Sequence, residues 1–295
     1  MAALGALTGC GPGNAGEAHL RIASGGPGGV YSRLGEALAG LWESENPRLR
    51  IDVLYTHGST ANLELIRGGA ADIGFTQADV VPPADRDRPL ALARLHDDVL
   101  HLVVRDEDDV AEPADLRGRR VSLGTPTSGT RFIALRILEL AGLRPGRDLT
   151  EVSLPLAQSV RRLAEGDLSA FFFSGGPPVD AIAELAKETP VRLINLGAFV
   201  PRLRRQHGEV YKPRTVPWSA YGSPATSIGV PNLLVTRPDL TKSQGYDLTR
   251  SMLERRDALA AVHPAAHQLN NMSAILTHPL DLHPGSAEYY RDSKP

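Results

Sequence analysis

Cysteine is almost absent: Cys10 is the single one in 295 residues. One thiol cannot build a disulfide framework within the chain or a CxxC zinc site. Aromatic residues are scarce at 5%, which leaves little for a platform that stacks single-stranded nucleic acid. No charge of one sign prevails, because 32 Lys+Arg face 34 Asp+Glu for a formal net charge of −2. That balance gives no electrostatic footprint for nucleic acid and no basic face for anionic lipid. No stretch after the N-terminus approaches the ~20 continuous apolar residues of a membrane span. What remains is 42% hydrophobic and 22% charged residues, the composition of a soluble chain able to bury sizeable cores. The length gives a prior of ~2 domains. The 29 Gly and 23 Pro suit many loops between short elements rather than a helical bundle.

The motifs of common enzyme classes are missing as well. There is no GxxxxGK[ST] phosphate loop and no GxSxG nucleophile elbow. Gly26-Pro27-Gly28-Gly29-Val30-Tyr31 lacks the last glycine of a dinucleotide fingerprint. His263-Pro264-Ala265-Ala266-His267 lacks the Glu of HExxH, and its Pro264 reads as a helix start. Asp72, Asp79, Asp97 and Asp98 could pair as acid and base, but their spacing does not demand it, and they read as strand ends and solvated loops. His57 is a lone loop histidine, and Arg202, Arg204 and Arg205 read as a solvated helix face. No catalytic residue, metal or cofactor is expected.

The N-terminus offers a different signal. A short apolar run ends in Leu7-Thr8-Gly9-Cys10-Gly11, which resembles a bacterial lipobox, where the cysteine thiol receives a lipid. The basic segment of a secretory signal is missing and the apolar run is short. Two readings stay open: a truncated lipoprotein signal and tether over residues 1–18 with lipidation at Cys10, or an apolar end with an inert cysteine. The first is taken as the expectation, and with it an extracytoplasmic location, at the cell surface or in a periplasm.

From residue 19 the chain alternates between strand and helix patterns. Leu20 to Ser24, Leu49 to Tyr55 and Asp72 to Phe75 read as strands, and Val30, Leu34, Leu38 and Leu41 fall at helical spacing. Leu100 to Val104, Val121 to Gly124, Ala170 to Phe173, Val191 to Ile194 and Ile228 to Val235 read as further strands, with a late helix over Leu248 to Ala261. Strands alternating with helices predict an α/β fold with largely parallel sheets. Two α/β lobes are expected, residues 19–104 plus 229–295 and residues 105–228. A chain that leaves a lobe and returns to it makes a two-strand hinge, and the cleft between lobes is the natural ligand site.

Three loops follow strands and open helices: Ser24 to Val30, His57 to Asn62, and Pro126 to Arg131. Gly, Ser and Thr dominate them. The first turn of a helix leaves N–H groups unpaired at the positive end of its dipole, so such loops can hold a carboxylate or phosphate. Plain helix capping is the competing reading of each loop alone. Arg131 either pairs a ligand carboxylate or is a surface charge.

Several strings also carry a resemblance, in order along nearly the whole chain. Ile22 to Tyr31 resembles the "GTGGTGGVYYPLG" opening of TAXI-type solute receptors, the substrate-binding proteins of TRAP transporters, and Leu34-Gly35 continues the match. His57 to Leu63 is similar to that family's "GGSVENL", and Ala71 to Asp79 to its "ADLGFVQSD". Ser128 to Arg131, Ala170 to Gly176 and Leu282 to Gly285 match as well. His57 replaces a Gly of the pattern, Pro27 a Thr, and Ser32 a frequent second Tyr.

The resemblance implies a type II periplasmic-binding-protein fold that closes on a small carboxylate, such as glutamate or another organic acid, and delivers it to an ion-gradient-driven permease. The partners implied are that ligand and a TRAP membrane permease, with no nucleic acid, membrane contact only through an N-terminal lipid anchor, and a monomeric receptor. The ligand-binding residues expected are Gly28, Val30, Tyr31, Ser59, Asn62 and Gln77 from one lobe. Thr127, Ser128, Gly129, Thr130, Arg131, Phe173, Ser174 and Tyr221 are expected from the other. Two other readings stand behind this one: a sensing module for a membrane signalling protein, and an enzyme on the same fold.

Overall fold

A computed structural model describes residues 18–81 and 88–293; the expected signal, tether and lipidation at Cys10 lie outside the described residues. In chain order the elements are β1 (Ala18–Ala23), α1 (Val30–Glu45), β2 (Leu49–Leu54), α2 (Ser59–Arg67), β3 (Ile73–Gln77) and β4 (Leu90–Arg105). Then come β5 (Arg120–Ser122), α3 (Gly129–Leu140), β6 (Thr150–Val152), α4 (Leu156–Ala164), β7 (Ala170–Gly175), α5 (Asp180–Glu188) and β8 (Val191–Leu193). The rest is α6 (Val200–His207), β9 (Lys212–Val216), α7 (Trp218–Tyr221), β10 (Ala225–Thr236), α8 (Lys242–Glu254), α9 (Arg256–Val262), α10 (Asn271–Ala274) and α11 (Pro284–Asp292).

The hydrogen-bonded order is β2-β1-β3-β10-β4-β7-β5-β6, with β8 on β4 and β9 on β10. Each end of this order is a parallel trio, β2-β1-β3 and β7-β5-β6. The centre is antiparallel, so the sheet is parallel only within the trios. The trios and their helices form two halves, and two long strands pass between them. β4 pairs with β10 from Leu90 to Val99 and with β7 from Val99 to Val104. β10 pairs with β9 from Ala225 to Gly229 and with β3 from Asn232 to Thr236.

The helix α1 shows how local pattern becomes packing. Leu34, Leu38 and Trp42 recur at four-residue spacing and are buried against Ile22, Ile73 and Phe75 of the sheet. Each such side chain contributes about 1.5–3 kcal/mol on burial. The Trp42 indole N–H donates to the Leu248 carbonyl at 3.1 Å, fixing α8 on the same face. The Tyr290 hydroxyl donates to the Leu92 carbonyl at 3.1 Å, so the last helix also returns to the first half.

Some expectations need correction. The four aspartates read as solvated or at strand ends are all buried: Asp72, Asp79, Asp97 and Asp98 are 4%, 6%, 4% and 6% exposed. Each has partners that offset desolvation. Asp72 accepts from the Arg21 backbone N–H at 2.8 Å and its Nε at 3.1 Å, and Asp97 lies between Arg94 and Arg214. For the same reason β4 begins at Leu90, ten residues before the apolar run that marks it, because buried polar side chains interrupt its pattern. The late helix is two helices, broken at Arg255 between α8 and α9.

Candidate functional site

The loops singled out by their Gly, Ser and Thr content meet where the two halves touch. The Thr60 backbone N–H donates to the Thr127 carbonyl at 3.1 Å, and the Thr125 hydroxyl donates to the His57 carbonyl at 3.1 Å. Gly58, at φ +112°, brings its backbone against Ser128; a Cβ there would lie 3.6 Å from the Ser128 Cα. The positive φ favours glycine, whereas a Cβ at this distance would be in ordinary van der Waals contact.

Behind these loops lies a buried polar layer. Tyr31 stacks on Phe75 with ring centroids 5.0 Å apart, and its hydroxyl donates to Asn232 Oδ1. Ser59 Oγ lies 3.4 Å from that hydroxyl and accepts the Gln77 backbone N–H at 3.1 Å. Gln77 Nε2 donates to Asp98 Oδ2 at 3.0 Å, while His96 Nε2 sits 3.3 Å from Asp98 Oδ1. Burial pushes the Asp98 pKa up, but His96, Gln77 and Asn232 outweigh it and hold the carboxyl below its ordinary range. Burial, with the Asp98 charge nearby, pushes the Tyr31 hydroxyl well above its ordinary value, so it stays a donor.

The second half presents the N-terminus of α3 to this layer. Ser128 caps the helix, its Oγ accepting the Arg131 N–H at 3.1 Å. Gly129 packs so closely that a side chain would run into Gln77 Oε1 and come within 2.9 Å of Ser59 Oγ. Thr130 Oγ1 accepts the Ser174 backbone N–H at 3.0 Å, tying α3 to β7. Three buried polar atoms from both halves have no hydrogen-bond partner: Gln77 Oε1, Thr127 Oγ1 and Ser174 Oγ. Buried polar atoms left unpaired in a native fold call for an explanation, and a ligand is one.

The expected site residues therefore divide. Tyr31, Ser59, Gln77, Thr127, Ser128, Gly129, Thr130 and Ser174 come together by these contacts. Gly28, at φ +77°, shapes the turn after β1, and Val30 opens α1 with its side chain partly in the core. Asn62 is a fully buried brace: its Nδ2 donates to the Ser24 carbonyl at 2.6 Å and the Phe75 carbonyl at 2.8 Å, holding three loop roots together. Arg131 is engaged elsewhere, its Nε on Glu151 at 2.7 Å. Tyr221 sits in an apolar cluster with Phe173 beside it, its hydroxyl accepting the Val179 N–H at 2.7 Å and lying 3.0 Å from His101 Nε2. His263 is a cap, its Nδ1 accepting the Ala265 N–H at 3.1 Å.

Two residues of this layer, His96 and Asn232, were missed from sequence, and a third, Asp98, was read as solvated or at a strand end. The signal was present as polar residues inside apolar strands, His96-Asp97-Asp98 in β4 and Asn232 in β10.

A second polar cluster gathers around Asp79, near enough to Asp98 for the two charges to interact. The Tyr211 hydroxyl donates to Asp79 Oδ2 at 3.1 Å, and Arg136 donates to the Tyr211 hydroxyl. Burial raises the Asp79 pKa to about 6 against the opposing pull of Arg136 and Tyr211. Asp79 and Arg136 border a cleft of about 370 Å³ lined also by Arg88, His207 and His278. Among the described residues no helix is long and apolar enough to cross a membrane.

Two halves with two linking strands and loops converging between them define the α/β fold of periplasmic solute-binding proteins. The sequence model of the NMT1-like family matches residues 22–293, and the chain belongs to that family. Its fold is similar to that of the periplasmic aliphatic sulphonate binding protein SsuA from Escherichia coli, at 17% identity over 94% of this chain and 84% of that one, with a TM-score of 0.53. It is also similar to a putative L-cystine ABC transporter protein from Listeria monocytogenes, at 13% identity over 83% of this chain and 94% of that one, with a TM-score of 0.55. A Xanthomonas citri protein solved with ATP bound matches at 12% identity over 93% of this chain and 95% of that one, with a TM-score of 0.56.

Proposed function

We propose that this protein is a non-enzymatic, extracytoplasmic solute-binding receptor of the TAXI type, working with a TRAP permease driven by an ion gradient. Its lobes are residues 19–104 plus 229–295 and residues 105–228, and it works as a monomer, held at the membrane through Cys10. The solute is a small carboxylate, such as glutamate or another organic acid, taken between the lobes. One observation carries this reading: Gly129, at the N-terminus of α3, packs directly on Ser59 and Gln77 of the other half. The unpaired first-turn N–H groups and dipole of a helix favour an anion there. With Arg131 held by Glu151, the carboxylate is gripped by backbone amides and hydroxyls rather than by a guanidinium.

The same surfaces explain how binding would close the molecule. A ligand touching both halves binds the closed form better than the open one and so shifts the population towards it. Stabilisation of the native state by a bound ligand raises its melting temperature. A melting screen over amino acids and dicarboxylates should therefore find a ligand, and Ser59→Ala should weaken it about tenfold by calorimetry. A flat screen, or an unchanged affinity in Ser59→Ala, would contradict this site.

A further inference from the structure

We infer that the cleft lined by Arg88 and Arg136 is a second binding site, separate from the loop junction, and that it takes a phosphate group, either the free ion or a small ester. Its volume of about 370 Å³ falls within the ~300–1,000 Å³ of small-ligand sites. None of the junction residues Tyr31, Ser59, Gln77 and Gly129 lines it. Asp79 follows β3 and Arg88 leads into β4, while Arg136 stands on α3 of the other half and His207 on α6. A guest held from both walls would therefore bridge the two halves.

Both guanidiniums are held in place. Arg136 Nη1 donates to the Tyr211 hydroxyl and to the Asp79 carbonyl at 3.5 Å, and its guanidinium carbon lies 4.3 Å from the Phe132 ring centroid. Arg88 Nη2 donates to the Pro279 carbonyl. A guanidinium fixed at one edge keeps its planar fork oriented, which lowers the entropy cost of gripping an oxyanion. Beside them, burial and then the Arg136 charge lower the His207 pKa, against the pull of Glu139. Among the described residues that line the cleft, Asp79 is the sole carboxylate. Its Oδ2 already accepts the Tyr211 hydroxyl at 3.1 Å. Even when Asp79 is ionised, two guanidiniums leave a positive surplus, and like charges facing one cleft repel unless a counter-charge sits between them. The two guanidiniums come from separate segments, so the guest needs acceptor oxygens on more than one side. A phosphate supplies them, whereas a planar carboxylate presents two oxygens at one end.

The inference stands apart from the receptor reading, since no solute enters its test. Calorimetric titrations at pH 7.5 and fixed ionic strength take inorganic phosphate in one arm and glycerol 3-phosphate in the other. One equivalent per chain should bind saturably in at least one arm. Tighter binding of the ester names an ester as the source, and equal or tighter binding of the free ion names phosphate itself; either supports the inference. Arg136→Gln should weaken the better probe by about tenfold or more, because charge-assisted hydrogen bonds are the strong ones. Arg136 also holds Tyr211 and Asp79, so Arg88→Gln is the second variant, with a loss of about fivefold or more expected. Arg205→Gln removes an exposed charge on α6 outside the cleft and should change affinity by less than about twofold. No saturable binding in either arm, or unchanged affinity in both cleft variants, overturns the inference. So does an equal loss in Arg205→Gln, which would mark diffuse surface charge rather than a site.

Discussion

Gly129 lies against the Gln77 carboxamide so closely that no side chain fits between them, although the two residues belong to different halves of the molecule. The contact is a gauge of closure. Gly129→Ala places a Cβ on Gln77 Oε1 and within 2.9 Å of Ser59 Oγ. The halves would then stand apart, and we expect ligand affinity to fall about tenfold or more, since the cost of overpacking is typically 1–3 kcal/mol. Calorimetry measures the affinity, and small-angle scattering should show a protein that no longer compacts on adding ligand. Normal closure in this variant would show that the contact does not govern it.

Asn62→Ala tests the brace beneath the loops. The buried carbonyls of Ser24 and Phe75 each lose a hydrogen bond, although the Thr56 hydroxyl still donates to Ser24. A lost buried hydrogen bond costs about 0.5–1.5 kcal/mol, so the midpoint of urea unfolding should drop by more than for a surface substitution. An unchanged midpoint would mean that these loop roots do not depend on Asn62.

Arg131→Ala should do little. The pair with Glu151 is 31% and 22% exposed, and pairs of this kind contribute about 0–1 kcal/mol. Affinity within about threefold of wild type is expected if backbone amides hold the carboxylate. A large loss in titration calorimetry would restore Arg131 to the binding surface.

The Asp79 cluster gives stability a pH dependence with a definite sign. Its carboxyl is raised to about 6 in the fold, so the native state holds a proton that the unfolded chain releases nearer 4. Stability from this group is fully present below the unfolded value and is lost as pH rises through about 6. His101, lowered to about 4 by burial, works the other way, its share being lost as pH falls below its unfolded value. The difference between wild type and Asp79→Asn isolates the first effect. Asp79→Asn should gain on wild type as pH rises from 5 to 7.5, by an amount on the order of 1–1.5 kcal/mol. Parallel denaturation profiles for the two proteins would contradict the buried, protonatable carboxyl.

The trios of strand and helix were legible because their patterns are local. Leu34 and Leu38 fall four apart, and Val121 and Ala170 to Phe172 mark buried strands. The loops were legible too, since Gly58, Ser59, Ser128 and Gly129 advertise tight turns and helix starts. The junction strands were not. They carry buried polar side chains that pair with one another, so His96, Asp98 and Asn232 break the apolar pattern that identifies a buried strand. Asp97 shows the same limit, because its partner Arg214 is brought to it by β9, far along the chain. Nor does a sequence reveal that Arg131 turns to Glu151 instead of the cleft, as the pairing depends on β6 lying beside β5.

Equilibrium dialysis against radiolabelled glutamate and other organic acids, followed by chromatography of the recovered label, bears most directly on a cleft that grips an anion and leaves it unchanged. Retention of one equivalent per chain, recovered as the starting acid after prolonged incubation, is the outcome expected of such a receptor. Label appearing in a product, or no retention of any acid offered, would contradict it.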